Sequence, residues 1–376
     1  MTGFSPLRSR RLARRWLALA LAGCLLALGF SIEPSRAQTL VSTGAFCEAN
    51  SDPIRNPQQG RSYGDPHINT YDGLHYSFQT IGEYILSKSQ DGSFEVQARQ
   101  GRVADSNALS LNTAVAMNVC GQRVAIYVSS PNSSALVRVN GQPTTITDGA
   151  IALENGGEVQ ELRNGNFAVL WPSGDQVNLN MITVGGDRFL NIMPILRPSH
   201  ANTMTGLLGN FNGNANDDLM GRDGRVVPAQ STYSIATNAL DRVLPAAIPV
   251  RQVENAYFEN LYRQFGDSWR IRPEESLFDY RTGESTETFS DRAFPQQFFT
   301  LNQVAPAQVE AALNTCRDAG VEEALLDGCV FDVAATGENR FVNAAVNAIA
   351  NAVTRRIRDR AIDEVRDRIP IPRFPF

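Results

Sequence analysis

Between residues 64 and 230, short runs of alternating apolar and polar residues are separated by turn-forming residues at intervals of roughly 8–12 residues. Residues 94–98 and 177–181 alternate in this way, as expected for strands with one buried face, and residues 124–128 form a short apolar run that also predicts a strand. Residues 136–139 lead directly into Asn140-Gly141, a strong short-range hairpin signal. The pattern predicts a mainly β protein built on an antiparallel β-sandwich.

From about residue 250 the period changes from that of strands to that of helices. Apolar residues recur at helical spacing in residues 253–265, 305–313 and 321–326. Residues 341–369 carry one apolar stripe opposite a charged face, which predicts an amphipathic helix that packs on its own domain or pairs with another helix. The sequence therefore predicts a smaller helical C-terminal region after the β domain.

The first 37 residues have the order of an export signal: arginines, then an apolar run, then small residues before Gln38. The run of about 15 residues is shorter than the ~20 that a membrane-spanning helix needs, so we expect cleavage and no membrane span afterwards. An alternative is lipidation at Cys24, which follows Leu21-Ala22-Gly23. We predict a secreted or cell-surface protein, periplasmic or extracellular.

Removal of residues 1–37 would take away six arginines and one glutamate, and would change the net charge from −5 to −10. Such an acidic surface argues against binding of nucleic acid or anionic membranes. The remaining chain keeps Cys47, Cys120, Cys316 and Cys329. An even number of cysteines in an exported chain is compatible with two disulfides, for which three pairings are possible.

The segment 206–219 is rich in side-chain oxygens, and its glycines allow the backbone to turn tightly. Calcium takes six to eight oxygen ligands in proteins, and alternating positions can direct successive oxygens to one centre. The alternative is a polar turn whose Asn and Asp side chains satisfy one another. The side chains concerned are those of Asn210, Asn212, Asn214, Asn216, Asp217 and Asp218.

A second segment, Gly64-Asp65-Pro66-His67 with residues 70–73, makes the pattern more specific. Together with residues 206–213 and 217–219, it resembles the von Willebrand factor type D domain, and residues 265–269 resemble the closing segment of that family. The resemblance covers residues 64–270 and implies a β-sandwich with one calcium site. The ligands that it implies are Asp72, Asn210, Asn212, the backbone carbonyl of Asn214, Asp217 and Asp218.

The chain departs from the animal members of the family in its cysteines. Thr205 and Leu208 stand where those members have cysteines beside Gly-Leu, so cysteine-linked multimers are not supported. Cys316 and Cys329 lie close together in sequence, and we predict that they bridge each other, with Cys47 bridged to Cys120.

The resemblance also implies a reaction, because some type D domains that carry Gly-Asp-Pro-His cleave themselves between Asp and Pro. The carboxyl group of Asp65 would attack its own backbone carbonyl, and the nitrogen of Pro66 would leave. His67 would supply the proton near its ordinary pKa of about 6.5, so mild acid is expected to help. The alternative is that this segment is only a turn that opens the first strand.

The sequence offers little to a turnover enzyme: it has three histidines, and no nucleophile elbow, zinc-protease motif or phosphate loop. We therefore predict a calcium-binding structural or adhesive protein whose partners are other surface or matrix proteins or glycans. The alternative is a secreted hydrolase of surface polymers. The predicted organisation is a signal (1–37), a polar leader (38–62), the type D domain (63–232), a closing segment and linker (233–270), a cysteine-containing extension (271–340), and an amphipathic helix with a proline-rich tail (341–376).

Overall fold

The computed structural model describes residues 55–103, 106–128, 135–184, 186–229 and 250–336, together with Ala49. The predicted signal, Cys47 and the predicted amphipathic helix at 341–376 lie outside the described residues, and so remain predictions. No helix in the described ranges is long and apolar enough to cross a membrane.

Most of the described chain before residue 206 forms β-strands, as the alternation predicts. The strands in chain order are β1 (Gln58–Gln59), β2 (Arg61–Tyr63), β3 (His67–Asn69), β4 (His75–Ser77), β5 (Gly82–Ser89), β6 (Phe94–Arg102), β7 (Ser110–Val119), β8 (Gln122–Tyr127), β9 (Leu136–Val139), β10 (Gln142–Pro143), β11 (Ala150–Ala152), β12 (Glu158–Glu161), β13 (Phe167–Leu170), β14 (Gln176–Val184), β15 (Asp187–Leu196) and β16 (Met204–Thr205).

The strands form two antiparallel sheets. The first has the order β11-β12-β13-β14-β15-β2-β3-β4, with β1 also pairing with β15. The second has the order β10-β9-β8-β7-β6-β5-β16. Val115 and Met117 of β7 share a fully buried core with Leu190 and Ile192 of β15, so the sheets pack face to face. The prediction of a mainly β, antiparallel fold is confirmed.

The chain after residue 250 is mostly helical and follows the sheets, also as predicted. The helices are α1 (Val250–Glu259), α2 (Pro306–Asp318) and α3 (Glu323–Thr336), and a π-helical segment, Asn260–Gly266, continues α1. Phe258, Leu261 and Phe265 enter the core between the sheets. Short 3-10 turns occur at Arg163–Gly165, Pro198–His200, Ala215–Asp217, Pro273–Glu275, Thr286–Phe289 and Leu301–Gln303.

Helices α2 and α3 form a helical pair that closes over the β2–β3 side of the first sheet. The apolar residues of this pair form a second hydrophobic cluster that includes Tyr63 of β2 and Met193 of β15. A disulfide joins Cys316 on α2 to Cys329 on α3, which confirms the predicted bridge. Cys120 is also disulfide-bonded, while Cys47, its predicted partner, lies outside the described residues.

Candidate functional site

The Gly-Asp-Pro-His segment lies in a tight turn between β2 and β3, where Tyr63 pairs with His67. Gly64 adopts a φ of 59°, which glycine tolerates best, and its amide donates to Asn191 Oδ1 at 3.0 Å. A Cβ at Gly64 would lie 2.9 Å from Asp332 Oδ2, so a side chain here would meet the carboxylate of α3. The turn therefore needs glycine for both its backbone angle and this close approach.

Asp65 and His67 meet a third residue, Asp332 of α3, to form a buried triad. The Nε2 atom of His67 lies 2.5 Å from Asp65 Oδ1 and 2.7 Å from Asp332 Oδ1. The side chains of Asp65, His67 and Asp332 are only 1%, 0% and 3% exposed. Because a buried charge is costly unless it is paired, these groups must share protons and charge among themselves.

Burial alone would lower the pKa of His67, but the charges of Asp332 and Asp65 outweigh burial and raise it to about 10. Burial, with the neighbouring charge of Asp65, raises the pKa of Asp332 well above its ordinary value, and the charge of His67 and its hydrogen bond oppose that rise. The two carboxyl groups thus favour the imidazolium form of His67. The pKa of His67 therefore departs from the ordinary value of about 6.5 expected from the sequence, because two carboxyl groups face one ring.

The ligand atoms of the buried triad all lie within 4.8 Å of one another, a spacing that could also suit a metal ion. Ligands held about 2 Å from a tetrahedral metal ion would, however, lie roughly 3 Å or more apart. The 2.7 Å contact of His67 Nε2 with Asp332 Oδ1 is a hydrogen bond, and the 2.5 Å contact with Asp65 Oδ1 is an ion-pair contact without hydrogen-bond geometry. We therefore interpret the triad as a proton-sharing cluster.

No sequence motif marks Asp332 as a site residue, and it is 265 residues from His67 in the chain. One feature of the sequence pointed to it: an acidic residue stands inside the apolar run Cys329-Val330-Phe331-Asp332-Val333. A buried carboxyl group in such a run needs a partner. The fold supplies that partner from the far end of the β domain.

The predicted calcium ligands form a second cluster, the amide loop, which we define as residues 210–218 with Asp72. The carboxylate of Asp72 accepts hydrogen bonds of 2.9 Å from the backbone amides of Asn212 and Gly213. The side-chain amides of Asn210 and Asn212 donate to Asp217. The backbone carbonyl of Asn214 accepts from the amide of Asp217 at 3.3 Å. The start and the end of the β domain therefore meet in this loop.

Asp218 is the buried member of the amide loop, at 1% exposure. The hydroxyl of Thr70 donates to its Oδ2 at 2.5 Å, while its buried Oδ1 lacks a hydrogen bond of ordinary geometry. Burial, together with the charge of Asp72, raises the pKa of Asp218 to about 7. Hydrogen bonds from Thr70 and from the backbone amide of Asn210 lower the pKa, but by less than burial raises it. A Cβ at Gly209 would lie 2.1 Å from this Oδ1, so glycine makes room for the carboxylate.

The amide loop fits a hard cation by its donor set. Its groups are carboxylates, amides and a carbonyl, the oxygen ligands that calcium prefers. The carboxylate of Asp218 is buried beside that of Asp72 without a positive partner among the described residues, which is costly unless a cation neutralises the pair. Asn210 and Asn212 direct their side-chain nitrogens to the Asp217 carboxylate, to which they donate hydrogen bonds. To bind a cation, each side chain would have to direct its amide oxygen to the ion.

The comparisons with known proteins agree with this fold. Residues 60–225 match the von Willebrand factor type D domain model, and residues 280–356 match the repulsive guidance molecule (RGM) C-terminal domain model. The matched relatives include mucin-4 of Homo sapiens, which is 28% identical over 188 residues, or 47% of this chain and 3% of mucin-4.

Two longer matches extend into the helical region. Sushi domain-containing protein 2 of Homo sapiens is 25% identical over 293 residues, or 75% of this chain and 31% of that protein. Von Willebrand factor of Bos taurus is 23% identical over 283 residues, or 74% of this chain and 24% of that protein. The chain therefore spans less than a third of the length of each of these relatives. The fold, the two motifs and the family match agree, and the chain contains a von Willebrand factor type D domain at residues 60–225.

Proposed function

We propose that this protein is an exported, calcium-binding structural or adhesive protein of the cell surface or extracellular matrix. Its relatives are secreted or extracellular proteins of structural or adhesive character rather than enzymes. The observation that carries the calcium proposal is the buried carboxylate of Asp218, which lies beside Asp72 and retains an oxygen without an ordinary hydrogen bond. Other matrix proteins or glycans are the partners that this function implies.

In this proposal the cation is held by the amide loop. Its ligands are the carboxylates of Asp72, Asp217 and Asp218, the side-chain oxygens of Asn210 and Asn212, and the carbonyl of Asn214. Because Asp72 precedes β4 and the other ligands follow β16, the ion would tie the two ends of the β domain together. Calcium would thus support a domain that lacks the cysteines of its animal relatives at Thr205 and Leu208.

Calcium should raise the melting temperature of the protein, because a ligand that binds only the native state stabilises it. At a concentration about a hundredfold above the dissociation constant, the gain is about 2.7 kcal/mol. For a domain of this size that corresponds to roughly 5–10 °C. A thermal melt in chelator, in millimolar calcium and in millimolar magnesium measures the effect and its selectivity. A melt that is the same in chelator and in calcium would exclude the site.

We also propose that the chain cleaves itself between Asp65 and Pro66. An oxygen of the Asp65 carboxylate attacks the backbone carbonyl carbon of Asp65 and forms a five-membered anhydride. The bond to the nitrogen of Pro66 breaks, and that nitrogen takes a proton from the imidazolium of His67 to become a new amino terminus. Water then opens the anhydride to two carboxyl groups, or a neighbouring hydroxyl or amine captures it. The buried contact between Asp65 and His67 supports this proposal.

Cleavage would divide the chain without separating the pieces. β1 and β2 precede the bond, and they pair with β15 and β3, which follow it. A disulfide between Cys47 and Cys120 would add a covalent link. We expect native gels to show one species, and intact-mass measurement after reduction and denaturation to show two. Amino-terminal sequencing of the larger species should begin at Pro66-His67, and a single intact mass after prolonged incubation would contradict the proposal.

A secreted hydrolase of surface polymers is the alternative function. The structural character of the relatives argues against it. Incubation of the purified protein with panels of peptides and glycans separates the two functions, because a hydrolase would turn over many molecules of substrate whereas self-cleavage occurs once per chain.

A further inference from the structure

The buried triad is assembled from two distant parts of the chain. Asp65 and His67 belong to the turn between β2 and β3, whereas Asp332 lies on α3, in the helical pair. The type D match ends at residue 225, so the third member of the triad comes from outside that match and lies within residues 280–356, which match the RGM C-terminal domain model. The site around the Asp65–Pro66 bond is therefore incomplete until the helical pair docks on the sheet.

Helix α3 is shaped to lie directly against His67. A Cβ at Gly328 would lie 2.5 Å from the Tyr63 hydroxyl and 2.8 Å from Cδ2 of His67, so only glycine allows this approach. One helical turn further on, the ring of Phe331 meets the ring of His67 edge-on at 5.6 Å. The side-chain amide of Asn69 on β3 donates to the carbonyl of Ala324, at the start of the helix, at 2.5 Å.

The disulfide holds this helix in its pair. Cys329 lies one turn before Asp332 on α3 and is bonded to Cys316 on α2. Both cysteines are buried in the cluster that seals the pair onto Tyr63 and Met193. The bridge therefore limits the positions that Asp332 can take relative to the sheet, and it does so from within the interface.

We propose that Asp332 is a positioning residue for the cleavage at Asp65–Pro66, and that docking of the disulfide-bonded helical pair switches the reaction on during folding. The inference rests on the proposed self-cleavage. Asp332 holds Nε2 of His67 at 2.7 Å and balances the charge of its ring. The bond would stay intact in a nascent chain and break only after the helical pair has folded, so cleavage would report that the chain has been made and folded at least as far as α3.

The charge on His67 gives this role a readout that a purely structural residue would lack. The titratable groups that the structure places around its ring are Asp65 on the turn, Asp332 on α3 and the phenol of Tyr63 on β2. Of the two carboxyl groups, Asp332 contributes the larger charge effect on the pKa of His67. Loss of the Asp332 charge should let burial return that pKa toward or below its ordinary value of about 6.5, so that mild acid becomes necessary.

The test uses the full chain, prepared in denaturant and reductant with the bond intact and refolded by dilution. The release of the Pro66 amino terminus is followed by mass spectrometry at several pH values. Asp332→Asn keeps the size of the side chain and removes its charge. We expect it to slow cleavage at pH 7.5 by at least about tenfold and to recover at pH 5. Asp327→Asn, an exposed position on the same helix, should behave as the wild type does.

Two further variants test docking without altering the triad. Gly328→Ala obstructs the approach of α3 to His67, and the double variant Cys316→Ser/Cys329→Ser unties the two helices. Both should slow cleavage at every pH, and Gly328→Ala more than the double variant. A cooperative thermal melt, compared with that of the wild type, serves as a check that the β domain has refolded. If Asp332→Asn fails that check, the docking variants still decide whether cleavage depends on the helical pair.

The outcomes distinguish the role of Asp332 and the helical pair from the self-cleavage on which that role rests. A wild-type chain that is never cut would overturn the self-cleavage itself. A wild-type chain that is cut, with Asp332→Asn cut at the same rate and with the same pH profile, would overturn only the role of Asp332. Docking variants that refold and are cut as fast as the wild type would overturn the dependence on the helical pair.

Discussion

Asp65→Ala should leave the Asp65–Pro66 bond intact under conditions in which the wild-type chain is cut. The substitution removes the carboxyl group that would attack the backbone, and no other group can replace a nucleophile already held in a five-membered arrangement. His67→Gln should slow the reaction by about a hundredfold rather than abolish it, because it removes a proton donor and not the nucleophile. Asp148→Asn, at an exposed turn far along the chain, is the control.

The pH dependence of the wild-type reaction follows from the same geometry. The pKa of His67 is raised to about 10, so the imidazolium is the major form from mildly acidic pH to about pH 9. The proton donor is therefore present at neutral pH and is lost only as the pH approaches 10. We expect no inflection from His67 between pH 6 and pH 8, unlike the acid-assisted reaction expected from an ordinary histidine. A rate that rises about tenfold from pH 7.5 to pH 6 would show that His67 titrates near its ordinary pKa.

The sequence predicted strands in which apolar and polar residues alternate and missed two of the longest strands, in which they do not. Residues 94–98 and 177–181 alternate and lie in β6 and β14. β7 and β15 are among the longest strands, but they are buried along nearly their whole length, so polar and apolar residues need not alternate in them. The polar residues Glu95 and Gln97 of β6 and Asn178 and Asn180 of β14 are buried as well, so alternation identified these strands without reporting their exposure.

The two candidate sites also differ in how far the sequence could predict them. The amide loop is nearly continuous in sequence, and only Asp72 is remote, so the spacing of the motif and the family resemblance indicated all of its members. The buried triad depends on Asp332, whose place beside His67 is set by the packing of the helical pair on Tyr63 and Met193. No local pattern encodes that packing, because each helix buries its apolar face against a distant strand.

Asp218→Asn should reverse the order of stability between calcium-free and calcium-saturated protein. In chelator at pH 8, the wild type keeps two neighbouring carboxylates, one of them buried, at Asp218 and Asp72. The amide of the variant keeps the size of the side chain and can still accept the hydrogen bond from Thr70, but it removes the repulsion. We therefore expect the variant to be more stable than the wild type without calcium, by on the order of 1–2 kcal/mol after screening by solvent.

With saturating calcium the order should invert. The charge on the ligands sets the affinity of an oxygen site, so a neutral amide in place of the buried carboxylate should remove most of the calcium-dependent rise in melting temperature. The wild type should then melt several degrees above the variant. Melts of the wild type, Asp218→Asn and the control Asp148→Asn, each in chelator and in calcium at pH 8, measure both halves of the inversion. A variant that is less stable than the wild type by the same amount in both conditions would show that Asp218 serves the packing of the loop and not a cation.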